Sequence, residues 1–277
     1  MMLFALATGS TRNGLALGLT CLCAAQSAPA QSCADLVAVG GFRTEKISGD
    51  GEVVVGTNTA TGPRLAAYWT GLAFQNLGTL GGIESVALDV AADGATIVGW
   101  ADAASGSFAF RWTAAGGMQS LGTLGGASSK AYAVSRDGAI VVGESLDAAG
   151  VARAFLWTAG NGMQSLGSLG GASSSARDVS DDGRVVVGAA LDSLGNRRAF
   201  RWTAVNGMQD LGGLSGNPST EYGAVAVSGD GVVVVGSSAG YPPRAFRWTS
   251  AIGMQDLGTL PGGLGAQAFD VSADGLT

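Results

Sequence analysis

Histidine does not occur anywhere in the 277-residue chain. Its absence removes the side chain most used as a general base near neutral pH, and the most frequent metal ligand with it. Lysine is almost as scarce, found only at Lys46 and Lys130, and 15 basic residues face 21 acidic ones for a net charge of −6. A surface for nucleic acid or anionic lipid needs clustered Lys and Arg, so the balance argues against both partners. Nor does either lysine sit in a phosphate loop, because Glu45 and Ser129 precede them where Gly is required. Of three cysteines, Cys21 and Cys23 lie in an N-terminal apolar run, which leaves Cys33 alone, and one thiol makes no internal disulfide. Charged residues make up only 13% of the chain and proline contributes 6 positions, while 47% is hydrophobic and 47 residues are glycine. Such a chain is too apolar for disorder and too rich in glycine for a helical protein, which points to β structure.

Long hydrophobic runs are missing too. The apolar stretch 15–25 has eleven residues, too few to span a bilayer. It follows Arg12 and precedes the small residues Ala28, Pro29 and Ala30, the layout of a secretory signal with its cleavage site. Residues 1–30 are therefore read as a signal peptide, with a mature N-terminus at Gln31. The expected address is extracellular or cell-surface, with no membrane insertion of the mature chain.

What the sequence does contain is a repeat. Asp-Gly recurs at Asp50, Asp93, Asp137, Asp182, Asp230 and Asp274, and a tryptophan preceded by aromatic residues recurs in phase at Trp69, Trp112, Trp157, Trp202 and Trp248. Periods of 20–50 residues mark solenoids, propellers or arrays. The third unit holds four strand patterns, over 131–135, 139–145, 152–158 and 162–169. Asp-Gly between the first two predicts a tight primed hairpin turn, so each unit reads as an antiparallel meander. A four-stranded sheet buries little alone, and neighbours must stack to share a core. The expected fold is all-β: a β-propeller or an open propeller-like array of four-stranded blades. It has five full repeats (about 40–82, 83–126, 127–171, 172–216 and 217–263) and a partial sixth (264–277). The continuous apolar runs at 185–188 and 233–236 read as central strands covered on both faces. Phe200 and Trp202 share the other strand's face, which predicts packing between blades, with an aromatic ligand platform as the alternative.

Several of these motifs are similar to one known family. A-V-S-x-D-G at 133–138 and 226–231, V-V-V-G at 185–188, R-A-F-R-W-T at 198–203 and 244–249, G-M-Q-D-L-G at 207–212 and 253–258, and T-L-G-G at 123–126 resemble the HAF repeats of bacterial secreted proteins. The resemblance covers about residues 40–277. The family's His-Ala-Phe stands here as Arg153-Ala154-Phe155, Arg198-Ala199-Phe200 and Arg244-Ala245-Phe246, so no role of that histidine carries over. It implies a secreted or surface-exposed, non-catalytic module for binding or display, with a glycan or surface component as partner and no cofactor. Two alternatives stand beside it: a passenger fragment of a larger autotransporter-type protein, and a glycan-acting propeller enzyme using acidic residues.

No catalytic, cofactor or metal residue is assigned from the sequence. Gly236-Ser237-Ser238-Ala239-Gly240 fits the nucleophile-elbow pattern, but Tyr241-Pro242-Pro243 follows where a helix belongs, and no histidine can take the proton. One turn Asp per unit supplies too few oxygens for calcium, and no additional Asp stands out to form the carboxylate pair that an enzyme would need. Arg153, Arg198 and Arg244 share one repeat position and Arg111, Arg201 and Arg247 another. Such rows either grip carboxylates or sulfated sugars or form an ion-paired face. Finally, residues 36–41 resemble the end of a fourth strand and 268–275 a first strand with its turn. The sequence thus predicts a longer natural chain with more blades and, for these 277 residues, an open edge that self-associates.

Overall fold

The computed structural model describes residues 41–60, 62–71, 74–214, 222–238 and 242–277. The signal segment 1–30, Cys33, residues 36–40 and two residues of the elbow-like pattern, Ala239 and Gly240, lie outside them. The described residues form twenty strands and no helix. The first sheet holds β1 (Phe42–Ile47), β2 (Val54–Asn58), β3 (Leu65–Trp69) and β4 (Phe74–Gly78). The second holds β5 (Ser85–Val90), β6 (Thr96–Ala103), β7 (Gly106–Thr113) and β8 (Gly117–Ser120). The third consists of β9 (Gly125–Val134), β10 (Ile140–Asp147), β11 (Ala152–Thr158) and β12 (Gly162–Ser165). The fourth consists of β13 (Gly170–Val179), β14 (Val186–Asp192), β15 (Arg197–Thr203) and β16 (Gly207–Asp210). The fifth is β17 (Tyr222–Val227), β18 (Val234–Ser238), β19 (Ala245–Thr249) and β20 (Gly253–Asp256). In every sheet the strands pair antiparallel in chain order, as the repeat predicts.

Two local expectations are corrected. The third sheet's first strand begins at Gly125 rather than 131, crossing the repeat boundary drawn at 126. Gly126 makes this extension possible, because a Cβ there would stand 2.5 Å from the Asp147 carbonyl oxygen and 2.6 Å from Leu146 Cβ. The Asp-Gly pair, in turn, is not the centre of a two-residue primed turn. The Gly138 N–H donates to the Ser135 carbonyl (2.9 Å), and the glycines of the other units bond likewise, so Asp is third and Gly fourth in the turn. The carboxylate closes it locally. Asp137 accepts from Ser135 Oγ (2.6 Å) and the Ala139 N–H (3.0 Å), while Ser135 Oγ accepts from the Ile140 N–H (3.0 Å). Bonds from the serine hydroxyl and the backbone hold Asp50, Asp137, Asp230 and Asp274 below the usual carboxylate range.

The glycine ending V-V-V-G has a packing reason. Beside it, the first strand of each sheet carries a register shift, which brings the partner carbonyl against the glycine Cα. At Gly188 a Cβ would meet the Ser175 oxygen at 2.1 Å, and at Gly143 the Lys130 oxygen at 2.0 Å. Backbone cannot give way as a side-chain tip can, so Gly188→Ala is expected to cost about 1–3 kcal/mol. A urea midpoint unchanged by that substitution would show that the bulge relaxes freely.

The cores lie between sheets. Phe110, Phe155, Phe200 and Phe246 are fully buried, each in the layer between its own sheet and the preceding one. Phe200 packs with Val142 and Ala154 of the third sheet and with Ala176 and Val186 of the fourth. Trp202 is only partly buried at the margin of this cluster. Residues 186–190 of β14 are buried, as a strand covered on both faces must be. Beside the turns, backbone bonds run from sheet to sheet: Ala92 to Arg136, Arg136 to Asp181, Asp181 to Gly229, and Gly229 to Ala273. Residues 268–272, expected as another first strand, form no strand ladder. Ala268 and Val271 instead pack on Ala226, Val233 and Val235 of the fifth sheet.

Candidate functional site

The first strands of all five sheets, together with residues 270–273, converge on a cavity of about 250 Å³. The residue four before each turn Asp is Lys46, Asp89, Ala133, Asp178, Ala226 or Asp270, and of these Lys46, Asp89, Asp178 and Asp270 line the cavity. Three units therefore carry a second aspartate. The expectation of a single Asp per unit with no outlier is overturned, and the signal stood in the sequence as L-D-V, R-D-V and F-D-V before the turns. Period-two alternation assigns a residue to a face of the sheet, not to its inner edge, so the pattern does not by itself mark these positions.

Each of these carboxylates ties its own unit to the next. Asp89 Oδ2 accepts from the Val134 N–H (2.8 Å), and Asp178 Oδ2 accepts from the Val227 N–H (2.8 Å). Asp270 pairs with the Lys46 ammonium at 3.2 Å, which joins the last described segment to the first strand. Burial pushes Asp89 up to about 6, against the pull of Lys46. Asp178 is pushed by burial up to about 7. Burial alone would depress Lys46, but Asp270, Asp89 and Asp178 outweigh it and raise the ammonium above its ordinary value. The arrangement can hold and exchange protons near neutrality. Among the described residues no three His, Cys, Asp or Glu side chains stand together as a metal site.

Away from the Asp-Gly turns, the repeat breaks down in a second way. The residue after the strand glycine is Thr57, Trp100, Glu144, Ala189 or Ser237, according to the sheet. Trp100 has the Lys130 ammonium 5.5 Å and the Arg64 guanidinium 5.9 Å from its ring. Tyr132, left unpaired at the register shift of β9, carries the Arg177 guanidinium 4.4 Å from its ring and donates its hydroxyl to Glu144 at 2.8 Å. Burial, reinforced by Glu144, raises the Tyr132 phenol well above its usual range.

The residues singled out in the sequence have other duties. Arg153 pairs with Asp147 and Arg198 with Asp192, both at 3.0 Å, and Arg244 with Asp256. Bonds from Asn196 and Arg198 bring Asp192 down to about 2 in spite of the burial that opposes them. The row at 153, 198 and 244 is thus an ion-paired face, and the anion-gripping reading of it is corrected. Arg111 braces the neighbouring turn through the Gly138 carbonyl (3.3 Å) and Thr96 Oγ1 (3.1 Å). In the elbow-like pattern, Ser238 is buried and its Oγ accepts from the Arg244 N–H at 2.9 Å, while Ser237 Oγ accepts from the Ala268 N–H at 3.0 Å. Both hydroxyls hold the backbone of this region in place.

No protein-family model matches the chain, and no curated protein matches it. Solved structures do resemble it. The putative TolB of Agrobacterium tumefaciens aligns with a TM-score of 0.58 and 17% identity, over 84% of this chain and 87% of that one. TolB of Acinetobacter baumannii gives 0.56 and 14%, over 76% of this chain, which spans about half (52%) of that protein. An oligogalacturonate lyase solved in complex with manganese gives 0.56 and 12% over 83% of this chain and 68% of that one. At such identities the likeness concerns the fold: an all-β protein of the β-propeller kind, assembled from four-stranded antiparallel sheets.

Proposed function

We propose that the chain is an exported, non-catalytic binding module of the HAF-repeat kind that recognises a glycan or another surface component. Its ligand-facing end is the one remote from the Asp-Gly turns. The observation that carries this reading is where the units differ from one another. Residues that recur in every unit are consumed by turns, bulges and cores, whereas Trp100, Lys130, Tyr132, Glu144 and Arg177, each confined to one unit, gather along the inner strands. A broad aromatic face flanked by cations suits a sugar ring bearing polar or charged substituents. The signal-like segment 1–30 supports export, and no helix among the described residues is long and apolar enough to cross a membrane. The ion pair of Lys46 with Asp270 supports an arrangement of the units around one axis, with the segment that holds Asp270 beside the first strand.

The test is binding of the mature protein to a panel of envelope polysaccharides. Trp100→Ala is expected to weaken the best binder at least about tenfold without moving the thermal midpoint, as loss of a stacking platform should. Undiminished binding by that variant would contradict the reading. One observation favours a second reading: carboxyls at about 6 and about 7 inside one cavity are what a glycan-cleaving enzyme would use. Release of reducing ends from the same panel, abolished by Asp178→Asn, would favour it over a purely binding module.

A further inference from the structure

We infer that the cavity between the third and fourth sheets is a subsite for the oxyanion of an acidic sugar, a carboxylate or a sulfate. The inference rests on the glycan-binding reading and names the chemical class that the module selects. The cavity measures about 290 Å³, and Glu144, Ser173, Ser175, Arg177, Ala189 and Arg197 stand in its wall. A small residue in its wall replaces large ones: Ala189 occupies the place that Trp100 and Glu144 fill in the two preceding sheets. The volume lies near the lower bound of ligand pockets, about 300 Å³, and suits one sugar unit rather than a long chain.

Three features of the wall select for an anion. Arg153, Arg198 and Arg244 each have a carboxylate partner, whereas among the described residues no carboxylate lies within ion-pair distance of Arg177 or Arg197. The single carboxylate of the wall, Glu144, already accepts the Tyr132 hydroxyl, so two guanidiniums exceed it in charge. Arg177 is also held in place, stacked on the ring that Glu144 anchors. Ser175 Oγ, finally, is buried with no hydrogen-bond partner, a state it shares among the described residues with Thr249 Oγ1 alone. Buried polar groups are rarely left so, and a hydroxyl that lines a cavity can turn to an incoming oxygen. Guanidinium forks bind planar carboxylates and sulfates through paired N–H donors, which a neutral hydroxyl cannot replace.

Calorimetry on the mature protein with glucuronate, glucose, a sulfated glucose and inorganic sulfate tests this. Glucuronate or the sulfated sugar should bind at least about tenfold tighter than glucose, the tighter of the two identifying the oxyanion. Arg177→Gln and Arg197→Gln should each abolish that preference. Should either variant fail to fold, Arg197→Lys keeps the charge but loses the fork, and should reduce the preference severalfold at an unchanged thermal midpoint. Equal affinity for glucose and the charged sugars, or inorganic sulfate binding as tightly as the sulfated sugar, would overturn the subsite. The Trp100→Ala arm separates the two readings. Polysaccharide binding that depends on Trp100 but shows no charge preference would sink the subsite alone. Arginine-dependent binding of the charged sugar without any polysaccharide binding would sink the wider reading alone.

Discussion

Replacing Phe200 with alanine should destabilise the protein by about 3–5 kcal/mol, the range for aromatic truncation in a packed core. The ring is fully buried between two sheets, and neither sheet can close over the void, because each is fixed on its other face by the next interface. Trp202 shares the strand face with Phe200, and the sequence alone makes it look like the heavier contributor. It sits at the edge of the cluster and is only partly buried, so Trp202→Ala should cost distinctly less. Ser193→Ala, in an exposed connection, should stay within about 0.5 kcal/mol of the parent. Urea denaturation ranks the three. Equal midpoints for Phe200→Ala and Ser193→Ala would rule out an interface centred on the phenylalanine.

The buried carboxyls set the second large effect, a stability that falls as pH rises through neutrality. Asp89 and Asp178 go from an ordinary 3.8 to about 6 and about 7 in the fold. The folded protein therefore holds protons that the unfolded chain has released. Stability from these two groups is fully present below pH 3.8 and is lost as pH climbs through their raised values. A tenfold displacement of a proton equilibrium is worth ~1.4 kcal/mol, so the pair withdraws several kcal/mol between about pH 4 and 8. The turn aspartates work in the opposite sense. Their lowered values give stability that is present above 3.8 and lost in acid. Lys46, raised, loses its contribution only above its ordinary 10.5. Maximal stability is therefore expected at about pH 4–5. In the double variant Asp89→Asn and Asp178→Asn the decline towards pH 8 should flatten, whatever the offset from an amide that makes a poorer acceptor. Thermal midpoints of the parent that rise steadily to pH 8 would show that these carboxyls ionise freely.

The repeat made the sheets legible in advance. Asp-Gly and the aromatic-Trp marker set the period, and the strand patterns place β10, β11 and β18 to within two residues, whereas β14 starts one residue into the run 185–188 and continues four residues past it to Asp192. The turn type differs from the primed hairpin because Asp-Gly also closes a longer turn when a serine stands two residues ahead, as Ser135 does for Asp137. The role of Gly188 was hidden, since the bulge it faces depends on pairing across the sheet. The site was less legible than the fold for a physical reason. Asp89, Asp178 and Asp270 are separated by about ninety residues each and meet only through the arrangement of the sheets. Ala189 is silent in sequence, because a cavity is defined by neighbours that are larger elsewhere. The rows of arginines were visible, but their partners were not: Asp147 and Asp192 come from the variable connections, where no repeat position announces them.

The central cavity exists only if the first strand and the last described segment meet around one axis. Carbodiimide coupling reads this directly, because it joins an amine to a carboxylate in contact with it, and the sequence has only two lysines. Digestion and mass spectrometry should recover an amide between Lys46 and Asp270, 3.2 Å apart as an ion pair, formed within one chain in a mixture of light and heavy isotope-labelled protein. A map in which Lys46 couples to no residue of the segment 268–274, or couples to it only between chains, would contradict the arrangement.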